Sequence, residues 1–374
     1  MLKIGIVGCG YWGAKHIRSL FEMGECEVVA CDQDTRRLHD IARRYPSIAT
    51  TDRFEDLLNP DVAGLIIATP ISTHYTLARA ALRSGRDVLV EKPLTNDLVQ
   101  AAELVNLAER ENAVLMVGHT FIYNPAVGAV RQLISSGELG DICYIDSARL
   151  NLGLVQKDAN VLWDLAPHDL SIILYLLGMD PTVISARGAA HLDHRTHDNA
   201  YLDLTFPNGT LAHIHVSWLE PCKVRRITIV GSRKMVVYDD IALTEKVWLY
   251  DRRVTRSHHT DKYDDFHLSY HYGNTTILHI PDDEPLQVEQ REFLSCIEER
   301  RRPVSGSFLG LRVVTLLEAA QYSLRTGGER VAVGKLLTSD EADLRPRIQE
   351  MLAGRLSPGV ESGDNNHPLT SQRS

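Results

Sequence analysis

The chain opens with Leu2-Lys3-Ile4-Gly5-Ile6-Val7 and runs directly into Gly8-Cys9-Gly10-Tyr11-Trp12-Gly13. A short apolar run, then G-x-G-x-x-G, then the helical spacing of Trp12 to Met23 is the order in which a strand, a tight turn and a helix bind a dinucleotide. Gly8 allows the turn, Gly10 lets the backbone approach a pyrophosphate, and Gly13 lets the helix pack closely on the sheet. The helix N-terminus then offers unpaired N–H groups to the phosphates. Asp32 closes the next apolar run, Glu27 to Cys31, about 20 residues after the last glycine, where a carboxylate meets an adenosine ribose diol. A glycine turn beside a surface aspartate is the plainer alternative, but the strand, helix and acid together disfavour it. Asp32 favours NAD, because a carboxylate repels a 2′-phosphate. Arg36 and Arg37 lie close by, so NADP stays open, although a solvated helix face accounts for both arginines.

The alternation continues. Helical spacing spans Gln33–Tyr45, Thr73–Ser84 and Asn96–Glu111, and strand-like runs cover Val62–Ala68, Asp87–Val90 and Val114–Val117. This predicts βαβ units on a parallel sheet over residues 1–122. After one more helix, Asn124–Ser136, the period changes. Strand-like runs follow at Cys143–Leu150, Pro181–Ala190, Ala200–Phe206, Thr210–Trp218, Arg225–Val230, Lys234–Asp239 and Lys246–Tyr250. A helix at Asp169–Leu177 interrupts them, and Asn208-Gly209 marks a hairpin. Helices near Leu286–Arg301 and Leu309–Arg325 come next. The expected architecture is α/β: an N-terminal Rossmann domain, then an α+β domain over 123–340 with a large, mostly antiparallel sheet. The stretch 341–374 is a C-terminal extension ending in a loose, polar tail. The 374 residues exceed what one core usually holds, which agrees with two domains.

Net charge is -9, so a polyanion such as nucleic acid is not an expected partner. No apolar run reaches the 20 or so residues needed to span a bilayer, and the N-terminus is not a secretory signal. The six cysteines are scattered and form no C-x-x-C pair, which reads as reduced thiols in a cytoplasmic protein.

Two segments carry chemistry. Glu91-Lys92-Pro93 follows a strand, at the end where ligands bind in open α/β sheets. A lysine there can hydrogen-bond a hydroxyl undergoing oxidation, and Glu91 can pair with it or orient a ribose. A turn with surface charges would explain the same residues, and a cis bond before Pro93 is open. In Leu162-Trp163-Asp164-Leu165-Ala166-Pro167-His168-Asp169, Asp164 and His168 share a face if the stretch is helical. A carboxylate beside an imidazole sets its tautomer, and a histidine titrating near neutrality suits a general base. A capping aspartate and a buried histidine are the alternative.

Taken in order, Gly8-x-Gly10-x-x-Gly13, Asp32, Thr69-Pro70-x-x-x-His74, Glu91-Lys92-Pro93 and Asp164-x-x-x-His168 resemble the glucose–fructose oxidoreductase/inositol dehydrogenase (Gfo/Idh/MocA) family over residues 1 to about 330. Gly118-His119-Thr120-Phe121-Ile122-Tyr123-Asn124-Pro125, Trp163 to Asp169, Glu284-Pro285-Leu286 and Gly310-Leu311-Arg312-Val313-Val314 look like the branch of bacterial nucleotide-sugar 3-dehydrogenases. That branch oxidises the 3-hydroxyl of UDP-N-acetylglucosamine or its uronate, and related branches act on cyclitols, sugar phosphates and aminoglycoside precursors. The resemblance implies that Lys92 positions the reacting hydroxyl and His168 takes its proton. Asp164 would bind a neighbouring hydroxyl or orient His168. Tyr11 and Trp12 would give N–H groups to the pyrophosphate, Thr69, Pro70, His74 and Glu91 would line the cofactor, and Trp163 would wall the nicotinamide. Tyr123, Asn124 and Arg149 would touch substrate.

Histidines cluster at His191, His194 and His197 and at His213 and His215, but no spacing completes a zinc site, so no metal is expected. Asp251-Arg252-Arg253 and Glu298 to Arg302 read as solvated charge. No G-x-S-x-G elbow supports a serine hydrolase. Ile214, Val216 and Trp218 alternate as if the sheet face away from its helices needs cover, and the resemblance implies that such a face packs against a second subunit, so a homodimer or homotetramer through the second sheet is expected. The leading reading is an NAD(P)-dependent sugar oxidoreductase. Rivals are an inositol or aminocyclitol dehydrogenase or ketoreductase, a redox-neutral NAD-dependent glycosidase, and a non-catalytic nucleotide sensor.

Overall fold

The computed structural model describes residues 1–153, 159–193, 196–256 and 268–333. The expected extension 341–374, the last residues of the expected second domain and His194 lie outside them. A six-stranded sheet in the order β3-β2-β1-β4-β5-β6 forms the first half. Its strands are β1 (Leu2–Val7), β2 (Cys26–Cys31), β3 (Ala49–Thr51), β4 (Gly64–Ile67), β5 (Asp87–Glu91) and β6 (Leu115–Gly118), and every pairing is parallel. Strands β4, β5 and β6 are buried along their whole length, as a sheet covered on both faces requires. Helices α1 (Tyr11–Met23), α2 (Thr35–Arg44), α3 (Ile71–Arg83) and α4 (Leu98–Arg110) supply that cover. The strand order reverses direction between β1 and β4, which opens a crevice at the strand carboxyl ends.

The second half begins with α5 (Pro125–Ser135), β7 (Ile142–Leu152) and α6 (Val161–Leu177). It continues through β8 (Val183–Ala189), β9 (Asn199–Thr205), β10 (Leu211–Ser217), β11 (Leu219–Gly231), β12 (Met235–Asp239), β13 (Val247–Arg256) and β14 (Leu268–Leu278), then α7 (Pro285–Glu299), α8 (Ser307–Arg325) and β15 (Val331–Ala332). The sheet runs β14-β13-β12-β11-β7-β10-β9-β8-β15 and is antiparallel except where β10 pairs with β7. This is the expected class: a Rossmann sheet followed by a large, mostly antiparallel one.

Helix α6 starts at Val161, not at Asp169 as the sequence predicts. Asn160 caps it by accepting from Trp163 N, and Pro167 sits inside it. A proline usually marks a boundary, but here buried Leu162, Ala166 and Leu170 hold the turn on either side of it. Strands β3, β14 and β15 are additions to the sequence reading, and β13 extends well beyond Tyr250.

Ile214, Val216 and Trp218 do not face a partner. They are essentially unexposed and lie on the inner face, under α6. The outer face carries Tyr144, Tyr201, Leu211, His213 and His215, with Tyr201 stacked on His215 at 4.1 Å. The alternation was correct, but the side assigned to it was reversed. Helix α8 ties the halves together: Leu311 and Val314 enter the core on one face of the first sheet, while Val313, Leu316 and Leu317 enter a continuous core that joins the first sheet's other face to the second sheet. A Cβ on Gly310 would lie 2.5 Å from Val117 Cγ2, so only glycine lets α8 approach β6 this closely.

Candidate active site

The glycine turn is built for close approach. Gly8 has φ +89°, and a Cβ on Gly13 would lie 1.7 Å from the Gly8 carbonyl oxygen. Gly10 caps α1 with no side chain, and no acid stands in the first turn. Tyr11 and Trp12 are exposed there, leaving the helix N-terminus open to an anion. Asp32 holds the turn from below. Its carboxylate accepts from Cys9 N (2.6 Å) and Asp34 N (2.8 Å), and Arg37 Nη1 approaches at 3.3 Å. An open, glycine-lined helix end beside an anchored carboxylate fits the pyrophosphate and ribose of NAD.

The next strand end behaves differently from the reading. Thr69 and Pro70 lead into α3, with the Thr69 and Thr73 hydroxyls 2.7 Å apart. His74 sits behind that lining and is 1% exposed. Its ring nitrogens lie 3.0 Å from the Pro93 carbonyl and 2.9 Å from the Thr69 carbonyl, so it fastens the β4 end to the turn after β5. Burial pushes its pKa down against those two carbonyls.

Glu91 is also buried. One carboxylate oxygen lies 2.9 Å from His16 Nε2, and the other accepts from Lys92 N at 3.2 Å. Burial opposes ionisation of Glu91, but the His16 contact and the Lys92 charge outweigh it and hold the carboxyl below its ordinary range. It therefore props the lysine turn from inside. The Lys92–Pro93 peptide is cis. Lys92 Nζ donates to the Asp164 carbonyl at 2.7 Å and stands 3.6 Å from Asp164 Oδ1.

One turn further along α6 is His168, edge-on to Phe121 with ring centroids 4.8 Å apart. The Asp164 carboxylate accepts from Trp218 Nε1 (3.0 Å) and faces Lys92. It serves those two groups, and among the described residues no hydrogen bond joins it to His168. Burial first, then the charges of Lys92 and Arg149, drive the His168 pKa well below 6.5. The imidazole is thus an uncharged base at neutral pH, where the sequence reading expects titration near 7. Trp163 is half-buried and packs against both cores.

Tyr123 and Asn124 are committed to the fold. The Tyr123 hydroxyl pairs with Ser305 Oγ (2.9 Å) and accepts from Ser305 N. Asn124 caps α5 through Ala126 N and donates to the Tyr238 hydroxyl and Asp240. Arg149 differs. Its Nε and Nη2 engage Asp169, while Nη1 is buried with no partner among the described residues. Its guanidinium lies 4.5 Å from the Phe121 ring, and its cross-strand neighbour Arg225 lies 5.4 Å from the same ring. The site contacts of Arg225 and Trp218 escaped the sequence reading because strand pairing is non-local. Among the described residues no cluster of three or more potential ligands suits a metal.

His119 is another buried imidazole, and both its ring nitrogens are unpartnered among the described residues. Burial, aided by Lys92, lowers its pKa from 6.5 to about 3. Below about pH 6.5 the unfolded chain takes a proton that the folded chain refuses, so stability falls as pH drops towards 3. His119→Leu is expected to remove roughly 1.4 kcal/mol of that loss per pH unit. Urea melts across acidic pH check it, and an unchanged acid sensitivity would mean His119 ionises in place.

Two family models match the chain. One, described as an oxidoreductase family with an NAD-binding Rossmann fold, covers residues 2–119. The other, the GFO/IDH/MocA C-terminal domain, covers 127–237, so together they span more than half the chain. The chain belongs to the GFO/IDH/MocA oxidoreductase family. It is an NAD-dependent oxidoreductase. It is 27% identical over 329 residues to UDP-N-acetylglucosamine 3-dehydrogenase of Acidithiobacillus ferrooxidans, covering 84% of this chain and 94% of that protein. It is 27% identical over 226 residues to inositol 2-dehydrogenase 2 of Saccharopolyspora erythraea, covering 58% and 66%. The solved structure of the Acidithiobacillus enzyme superposes with TM-score 0.74 at 24% identity, covering 87% of this chain and 98% of that one, a likeness of fold. No helix among the described residues is long and apolar enough to cross a membrane.

Proposed function

We propose that this oxidoreductase transfers a hydride between a secondary ring hydroxyl of a sugar, C3 of a nucleotide sugar, and NAD. The observation that carries the reading is the convergence of Lys92, Asp164 and His168 at the mouth of the crevice, with an uncharged imidazole one helical turn from the lysine's partner. Bound NAD supplies the hydride acceptor at nicotinamide C4. Lys92 Nζ donates to the substrate hydroxyl and favours its alkoxide character. His168 takes the hydroxyl proton. Asp164 holds Lys92 in place and, tied to Trp218, presents its free edge to a neighbouring sugar hydroxyl. Trp163 closes the crevice against water.

A nucleotide sugar is supported by the relative just described and by charge. The Arg149 and Arg225 guanidiniums share the Phe121 ring that abuts His168. Lys223 and Arg225 of β11 also act on Tyr11, whose phenol is held below its ordinary pKa by Lys15 first and by this pair in addition. A diphosphate or a carboxylate on the sugar would meet this cationic side. Myo-inositol or an aminocyclitol is the second reading, favoured by the inositol 2-dehydrogenase relative.

The test is NADH absorbance with UDP-hexosamines, their uronates, myo-inositol and aminocyclitols. Signal with a nucleotide sugar supports the first reading, and signal with a cyclitol alone replaces it with the second. Asp32→Ala should weaken NAD more than NADP. Equal losses measured by cofactor titration would limit Asp32 to anchoring Cys9. The exposed outer face of the second sheet, with Tyr144, Tyr201 and Leu211, supports a homodimer or homotetramer. The six free cysteines support a cytoplasmic setting.

A further inference from the structure

Beneath the lysine turn runs a buried chain of hydrogen bonds that crosses from one half of the molecule to the other. Ser19 Oγ donates to Gln290 Oε1 at 2.6 Å. Gln290 Nε2 lies 3.0 Å from His16 Nδ1 and 3.2 Å from the His16 carbonyl oxygen, and His16 Nε2 lies 2.9 Å from Glu91. Ser19, His16 and Gln290 are fully buried. A carbonyl oxygen can only accept, so the atom facing the His16 carbonyl must be the amide nitrogen of Gln290, not its oxygen. That same nitrogen faces His16 Nδ1, which must then be the acceptor. The ring hydrogen therefore sits on Nε2 and points at Glu91.

We propose that Gln290, on α7 of the second half, is a positioning residue that fixes the tautomer of His16 and through it the placement of Lys92. Glu91 receives the Nε2 hydrogen on one oxygen and holds the Lys92 backbone N–H with the other, so the orientation of the lysine turn is set from α7. The same contact joins the cofactor helix to the lysine, because His16 and Ser19 both lie on α1. Rim ion pairs between Arg18 and Glu284 and between Arg291 and Glu25 hold α1 and α7 in register around the chain. A catalytic part played by Lys92 rests on the proposed function, whereas the tautomer does not.

Two measurements test the inference. In the full-length enzyme with ¹⁵N-labelled histidine, the His16 resonance, assigned by its loss in His16→Gln, is expected to show hydrogen on Nε2 and a bare Nδ1. Gln290→Glu presents only acceptors to Nδ1 and is expected to put a hydrogen there. Gln290→Leu should lower kcat by about 10-fold to 10²-fold while NAD affinity holds. His16→Leu should do the same, and His16→Gln, which keeps an N–H donor for Glu91, should recover most of the loss. A wild-type His16 with hydrogen on Nδ1, or a Gln290→Leu enzyme with wild-type kcat, overturns the proposal. If no substrate is turned over, the function reading fails, and the NMR result still decides the tautomer.

Discussion

Lys92→Met is expected to lower kcat by about 10²-fold or more, with NAD affinity retained, and His168→Ala is expected to match it. The lysine amine reaches the Asp164 carbonyl at 2.7 Å and has no direct part in holding the glycine turn. His168 lies one helical turn beyond Asp164 on α6 and forms none of the contacts that anchor Asp32. Each loss should therefore appear in turnover and not in cofactor binding. Because the two act on one hydroxyl, the double variant should lose little more than the worse single one. Stopped-flow and steady-state rates with NAD titration measure all three. Collapse of NAD affinity with intact chemistry would reverse the role assignment.

Gly13→Ala is expected to abolish measurable NAD binding and to destabilise the N-terminal half by about 1–3 kcal/mol. Its Cβ would lie 1.7 Å from a backbone oxygen of the same turn, and no side-chain rotation relieves that contact. Gly10→Ala is the matched control. A Cβ there meets only Arg37 Nη1 at 3.6 Å, so the fold should keep its stability while the pyrophosphate loses its close approach. Thermal melts and cofactor titration of both variants separate a glycine needed by the fold from one needed by the ligand. Equal stability losses would show that the turn, not the ligand, requires Gly10.

The first half was largely legible because its signals are local. The glycines, Asp32 and the lysine turn each fall within one βαβ unit, and the parallel sheet formed as the alternation predicted. The second half was legible in class but not in detail. Pro167 hid the first turns of α6, because the burial that outweighs a proline is not written in its neighbours. Ile214, Val216 and Trp218 gave the correct period and the wrong face, since period two cannot say which side a helix will cover. The supports of the site were the least visible. His16 meets Glu91 across 75 residues and Gln290 across 274, separations that no motif spans. Asn124 and Tyr123 stand beside the site in sequence but spend their polar atoms on capping α5 and fastening Ser305. Arg149, named with them as a substrate contact, shows the converse: among the described residues its buried Nη1 keeps no partner.

The central claim, hydride transfer from a ring carbon of a nucleotide sugar, is tested most directly with UDP-N-acetylglucosamine deuterated at C3. The account predicts NADH that carries the deuterium at nicotinamide C4, with formation slowed relative to the unlabelled sugar. Unlabelled NADH, or consumption of the sugar with neither NADH nor transfer of label, would contradict it.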